Sequence, residues 1–279
     1  MHKTVKRWLD AASLSIALGL LMIWSLLPIA WNALTSVKTR KDIFAYPPKI
    51  LVVPDFSPYL RVLAFRGGQS IWPNMVNSVI VAVVSTVITV LLASLAAYAF
   101  SRFQFQGRTT LLYLMLATRL LPPMVTIIPL FLLMNSLRLI DTQAVLVIIY
   151  TALNIPFATW LTKAFFDTIP RELEQAALID GASALRALWY VTAPLAAPGL
   201  ATAAIFVFVL AWNEFTFAYM FTSSNARTLP LLIAQAQGED QIYWQDMAAQ
   251  AMVLMILPLT VALAMQKRLV SGLTAGALK

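Results

Sequence analysis

The spacing of the charged residues constrains this chain more than any other feature. No charge lies between Asp10 and Lys38, Arg66 and Arg102, Asp141 and Lys163, Arg186 and Glu214, or Asp246 and Lys267. Each gap supplies the roughly 20 apolar residues that an α-helix needs to cross a hydrocarbon core. A sixth block, Thr109 to Leu137, is interrupted only by Arg119. The pattern predicts an all-α integral membrane protein with six transmembrane helices, near 11–33, 73–100, 109–134, 142–165, 198–221 and 247–266. A transmembrane barrel would show alternating segments of about 10 residues, and these blocks do not alternate. Only 11% of the residues are charged and 60% are hydrophobic. A soluble domain carries about 25% charged residues, so these charges are too few to cover a soluble surface.

The net charge of +8 does not indicate a nucleic-acid partner, because most of the basic residues flank apolar blocks. With six spans and both termini inside, the cytoplasmic set is Lys3, Lys6, Arg7, Arg102, Arg108, Lys163, Arg171, Arg186, Lys267, Arg268 and Lys279. The short outer loops then hold only Arg138 and Arg227. A longer outer loop, about 35–72, adds Lys38, Arg40, Lys41, Lys49, Arg61 and Arg66. Short loops carry most of the orientation signal, so the expected topology is multi-pass with both termini cytoplasmic. The first block is too long for a signal-peptide core and reads as a retained helix. The chain has no cysteine, which excludes disulfides and thiolate metal sites, and its one histidine is His2.

The whole chain, 1–279, reads as one membrane domain. Leu121-Pro122-Pro123 and Pro129 should kink or unwind the third helix near mid-membrane. The segment 223–245 is a polar outer loop. On the other side, 163–197 is the only loop large enough for a partner to grip. Asp167 or Thr168 can cap a helix there, and Pro170 suits a first turn. Glu172 and Glu174 then lie where the helix dipole favours negative charge. Ala176 and Ala177 leave a smooth patch, and Gly181 allows a chain reversal at low cost. A second helical stretch runs through Trp189. On physical grounds alone this is either a docking knob or an interfacial helix linking two spans.

Gln175-Ala176-Ala177, then Gly181, then Val191-Thr192-Ala193-Pro194 resembles the EAA loop of ABC importer permeases: Glu-Ala-Ala, three residues, Gly, nine residues, Ile-x-Leu-Pro. Gln175 stands where that pattern has Glu, and Ala193 where it has Leu. Glu172-Leu173-Glu174 through Asp180-Gly181-Ala182-Ser183, Ala211-Trp212-Asn213-Glu214-Phe215 and Gly272 to Lys279 are similar to the maltose-type carbohydrate permeases. The resemblance implies the transmembrane domain of a type I ABC importer in a bacterial inner membrane. It implies a second, homologous permease subunit, two ATP-binding cassette subunits and an extracytoplasmic solute-binding protein that delivers a sugar. The coupling loop would be 167–194, with Glu172, Glu174, Gln175, Ala176, Ala177, Asp180 and Gly181 at the ATPase contact. The tail 267–279, through Gly272, Thr274 and Gly276, would reach between the ATPase subunits. No Walker-type phosphate loop is present, so ATP and Mg belong to the partners. This chain is expected to be no enzyme and to hold no cofactor or metal.

Polar residues inside apolar blocks are functional candidates by default. Asn154, Asn213 and Glu214 are such residues and, with Trp212, whose ring could stack on a sugar face, they are assigned to a substrate path; the alternatives are packing and hydrogen bonding between helices, and for Trp212 core packing or interfacial anchoring. Arg119 is expected to bond carbonyls freed by Pro122 and Pro123, without pairing with Glu214. An ion-gradient-driven secondary transporter is the competing function. It would need a buried ionisable relay, and Arg119 and Glu214 are the only two candidates.

Overall fold

The computed structural model describes residues 2–63, 70–234 and 243–275, with side chains for 12–63, 70–234 and 243–266. In chain order the α-helices are α1 (His2–Ser36), α2 (Arg40–Ile43), α3 (Ser57–Leu63), α4 (Ile71–Arg102), α5 (Arg108–Ala117), α6 (Pro123–Ser136), α7 (Gln143–Phe166), α8 (Arg171–Ile179), α9 (Ala184–Ala187), α10 (Ala193–Leu195), α11 (Ala197–Trp212), α12 (Thr216–Phe221), α13 (Leu229–Ala234) and α14 (Trp244–Ala275). A 3₁₀ turn, Thr118–Leu120, extends α5, and a π-turn, Leu188–Thr192, joins α9 to α10. Among the described residues there is no strand.

Four segments are continuous, apolar and long enough to span a membrane: 12–36, 71–102, 143–166 and 244–266. Two helix pairs, 108–120 with 123–136 at 93° and 184–195 with 197–212 at 83°, are bent at a short break, and counting each pair as one span gives six. The predicted kink in the third span is therefore a full break. Leu121 and Pro122 are extended, and Pro123 opens α6. Two consecutive prolines remove two N–H donors, and the second proline suits a helix start.

The chain forms two compact units. In the first, 1–70 with 233–255, α1 presents apolar residues such as Leu20, Trp24 and Leu27 on its exposed surface. A helix apolar on all sides belongs in lipid or against another membrane chain. Arg61 pairs with Asp246 at 2.6 Å, and Ser36 shares a 2.7 Å hydrogen bond with Tyr59. These bonds fix the 35–63 connection to the start of α14.

In the second unit, 71–232 with 256–279, helices α4, α7 and α11 pack on one another. Ala93, Ala158 and Val207 meet where they converge. Small residues let helix backbones approach closely, which is the main source of packing energy in lipid. Gly199 shows the same closeness, because a Cβ there would overlap the Phe165 ring of α7.

One end of this unit is held by a single carboxylate. Asp141, in the turn between α6 and α7, accepts from the N–H groups of Ser223, Ser224, Asn225 and Ala226 at 2.9–3.2 Å. Successive N–H groups around an anion form a nest. Asn77 of α4 donates to the carbonyls of Asn225 and Arg227, and Gln143 donates to Asn77. Burial alone would raise the Asp141 pKa. The donors from Ser223, Asn225 and Ala226 outweigh burial and hold the carboxyl well below the usual carboxylate range. A depressed folded pKa contributes stability that is present above the unfolded value, about 3.9, and is lost as pH falls through the folded value.

Two predictions follow from this packing. Gly199→Ala should destabilise the protein by about 1–3 kcal/mol, read as a lower unfolding temperature in detergent. Asp141→Asn should cost about 1.5–3 kcal/mol near neutral pH, in the range of a hydrogen bond to a charged group. It should also remove the acid-sensitive part of the melting profile, and an unchanged profile would show that the nest contributes nothing.

Candidate functional site: the coupling loop and a cavity between broken helices

Local sequence shapes the loop after α7. Helix α8 starts at Arg171 behind Pro170 and has no side-chain cap. The two expected caps are engaged elsewhere. Asp167 terminates α7 and accepts from Ser101 Oγ and Lys163 Nζ, while Thr168 Oγ1 donates to the Phe165 carbonyl. At the far end, the Gly181 N–H donates to Leu178 O and the Ala182 N–H to Ala177 O. This pair of bonds is a Schellman closure, which requires a left-handed residue between helix and exit. Gly181 has φ +87°. Ser183 then caps α9 by accepting from the Arg186 N–H.

The candidate ATPase-contact residues divide into two sets. Glu172, Gln175, Ala176, Asp180 and Gly181 are exposed, and Ala177 is half-buried. Leu173, Leu178 and Ile179 are exposed beside them. Glu174 does not belong to this surface. It is 4% exposed and faces inward. Its Oε1 accepts from Arg102 Nε at 2.7 Å and from Thr192 Oγ1 at 2.7 Å. A buried carboxylate needs such partners to remain charged. Glu174, expected at the ATPase contact, instead keeps its carboxylate inside the protein.

A cavity of about 450 Å³ lies among α6, α7, the break at 118–123 and the break between α11 and α12 at 213–215. Arg119, Thr126, Tyr150, Asn154 and Glu214 supply its polar lining, and Leu121, Leu153 and Phe217 are among its apolar walls. Glu214 is not inside a continuous helix as expected, because α11 ends at Trp212 and α12 begins at Thr216. Its Oε1 accepts from the Phe217 N–H at 2.9 Å and its Oε2 from the Ala218 N–H at 3.2 Å. The carboxylate thus satisfies two of the free N–H donors in the first turn of α12. Asn154 is buried, and its Nδ2 donates to the Tyr150 carbonyl at 2.9 Å.

Two of the four substrate-path candidates do not reach the cavity. Trp212 is 1% exposed and stacks on Phe208, with ring centroids 5.8 Å apart. Asn213 is exposed, and its Nδ2 donates back to the Val209 carbonyl. Successive helical positions are turned by about 100°, so adjacent residues at the end of α11 face different ways. Arg119 lines the cavity, and among the described residues it bonds no freed carbonyl. Its guanidinium stacks over the Phe157 ring at 5.5 Å, and among the described residues it forms no ion pair. Gly272 and Thr274 fall in the last turns of α14, where side chains are not described, and Gly276 lies outside the described residues. Among the described residues no cluster of His, Asp or Glu could hold a metal ion.

Sequence reasoning missed Arg102, Ser101 and Thr192 as partners of the loop. Arg102 counted only as a flanking charge, and no local signal joins residues 72 positions apart.

The helical membrane fold has four continuous apolar helices and two bent pairs, with α8 and its turn at Gly181 exposed after α7. Residues 89–274 match the family of binding-protein-dependent transport system inner membrane components, and the chain belongs to that family. It is 39% identical to the sulfoquinovosyl glycerol transport system permease protein of Agrobacterium fabrum, over 95% of this chain and 92% of that one. It is 36% identical to the trehalose/maltose transport system permease protein of Thermococcus litoralis, over 93% and 94%. Among solved structures, a bacterial ABC transporter involved in the import of the acidic polysaccharide alginate shares the fold, with a TM-score of 0.71 at 24% identity, covering 91% of this chain and 94% of that one.

Glu214→Ala should leave two N–H groups in the first turn of α12 without acceptors. The expected cost is about 1–2 kcal/mol, seen as a lower melting temperature of the purified protein. Glu214→Gln keeps one acceptor and should cost less. Equal melting of all three proteins would show that the cap is not needed.

Proposed function

We propose that this chain is a membrane-spanning permease subunit that carries a carbohydrate or sugar derivative across a bacterial inner membrane by alternating access. ATP hydrolysis on separate subunits drives the cycle. Family membership supports the importer class, and the sugar permeases among its relatives support the substrate class. An ion-gradient relay has less support. The Glu214 carboxylate is engaged by backbone N–H groups and Arg119 lies over an aromatic ring.

The coupling loop is the observation that carries the proposal. Helix α8 ends in a glycine-dependent closure that leaves Gln175 and Ala176 at the surface with Leu173, Leu178 and Ile179. An exposed apolar patch rimmed by Glu172, Gln175 and Asp180 is the kind of surface that a partner covers. Two ATP-binding cassette subunits, holding ATP and Mg, dock here and on the equivalent loop of a second, homologous permease. An external solute-binding protein delivers the sugar to the opposite face. In this arrangement both termini are cytoplasmic, and the tail 267–279 lies on the ATPase side. Within the membrane, the cavity lined by Asn154 and Glu214 is the candidate sugar path.

Ala177→Arg should abolish co-purification of the ATPase and reduce uptake to background. Unchanged co-purification and uptake would place the ATPase contact elsewhere.

A further inference from the structure

The exposed half of α8 can be explained by a partner, but its buried half cannot. Glu174 and Arg102 are both inside the protein, with side chains 6% and 8% exposed. Each binds in more than one direction. Arg102 Nε donates to Glu174 Oε1 at 2.7 Å, its NH2 group to the Ile169 carbonyl at 3.2 Å, and its NH1 group to Ser101 Oγ at 3.3 Å. Glu174 also accepts from Thr192 Oγ1 in the π-turn. Ser101 Oγ donates to Asp167 at 2.6 Å, and Arg171 donates to the Ser101 carbonyl at 3.0 Å. Beneath this network Phe166, Ile169, Leu188 and Ala196 pack against Ala97 and Tyr98 of α4.

The end of α4 is thus bonded to the end of α7 and to α8, and through Glu174 to the π-turn that leads toward α11. We infer that the Arg102–Glu174 pair is the positioning strut of the coupling loop: it makes the loop and the end of α4 move as one body, so that force applied to α8 is delivered to α4. The inference rests on the docking proposal and adds the route that the motion takes inside this chain. Desolvating two charges makes a buried pair no sure gain in stability over apolar packing. Its value here is directional, because a guanidinium fork holds three acceptors in fixed geometry. An ammonium cannot reproduce that fork, so lysine is not an equivalent replacement. Coupling that travels through a packed, hydrogen-bonded element is expected to change by a few-fold to about 30-fold when a member is altered.

The test uses the complete importer, with its partner permease, ATPases and binding protein, in proteoliposomes. The readout is sugar uptake per ATP hydrolysed, measured beside ATPase co-purification. Arg102→Lys and Glu174→Gln should assemble and show the uptake-to-hydrolysis ratio reduced roughly tenfold. Thr192→Val, which removes one bond and preserves shape, should reduce the ratio by less. A wild-type ratio in Arg102→Lys and Thr192→Val would overturn the inference, whether or not Glu174→Gln assembles. So would loss of co-purification in Glu174→Gln with Thr192→Val unaffected, because Glu174 would then serve assembly alone. Failure of the docking proposal shows separately, as undiminished co-purification and uptake in Ala177→Arg.

Discussion

In hydrocarbon every backbone N–H and C=O must find a partner within the protein, and this requirement governs both the regular and the irregular parts of the chain. Helices α4 and α7 meet it by running unbroken for 32 and 24 residues. The two interruptions meet it by other means. At Leu121–Pro123 the prolines remove donors that would otherwise be stranded. At Asn213–Phe215 the Glu214 carboxylate accepts two free donors in the first turn of α12. Both interruptions face one cavity, and non-helical backbone at membrane depth is tolerated where it lines such a space. The break sites and the candidate sugar path therefore have a common origin.

The same requirement operates at the two ends of the packed helices. At one, Asp141 gathers four backbone donors and ties the 223–226 segment to the start of α7. At the other, Arg102 and Glu174 join α4 to the coupling loop. Between these clasps the contacts are made by small residues, apolar at Ala93, Ala158 and Val207 and hydroxyl-bearing at Thr89, Thr159 and Thr202, which are fully buried. Small-residue contacts hold helices close without directional bonds, so the polar groups at the ends define how the helices are connected.

Much of this was legible in the charge spacing. Four of the six apolar blocks are long helices, the third is a bent pair, and the fifth, expected at 198–221, is α11 and α12 on either side of a break at 213–215. The position of the loop, its turn at Gly181 and the proline break were also readable, because glycine and proline act locally. Long-range pairing was not readable. Glu174 carries a surface residue's signature, an acid in the first turn of an amphipathic helix, and only the packing of α8 on α4 turns it inward. Trp212 and Asn213 belong to a motif that resembles its family throughout, yet the rotation of the last helical turn keeps both from the cavity. Arg119 was expected to serve the prolines beside it, and it stacks instead on a ring of the neighbouring helix.

The central claim is that the exposed face of α8 is gripped by an ATPase while its buried face holds α4. The absence of native cysteine makes a direct measurement simple. Ala176→Cys, placed in the assembled importer opposite a single cysteine in the groove of the ATPase, should form a disulfide in membrane vesicles. Ser224→Cys, beside Asp141 at the opposite end of the same packed unit, should not. A cross-link from residue 224, or none from residue 176 in a complex that still imports sugar, would contradict the account.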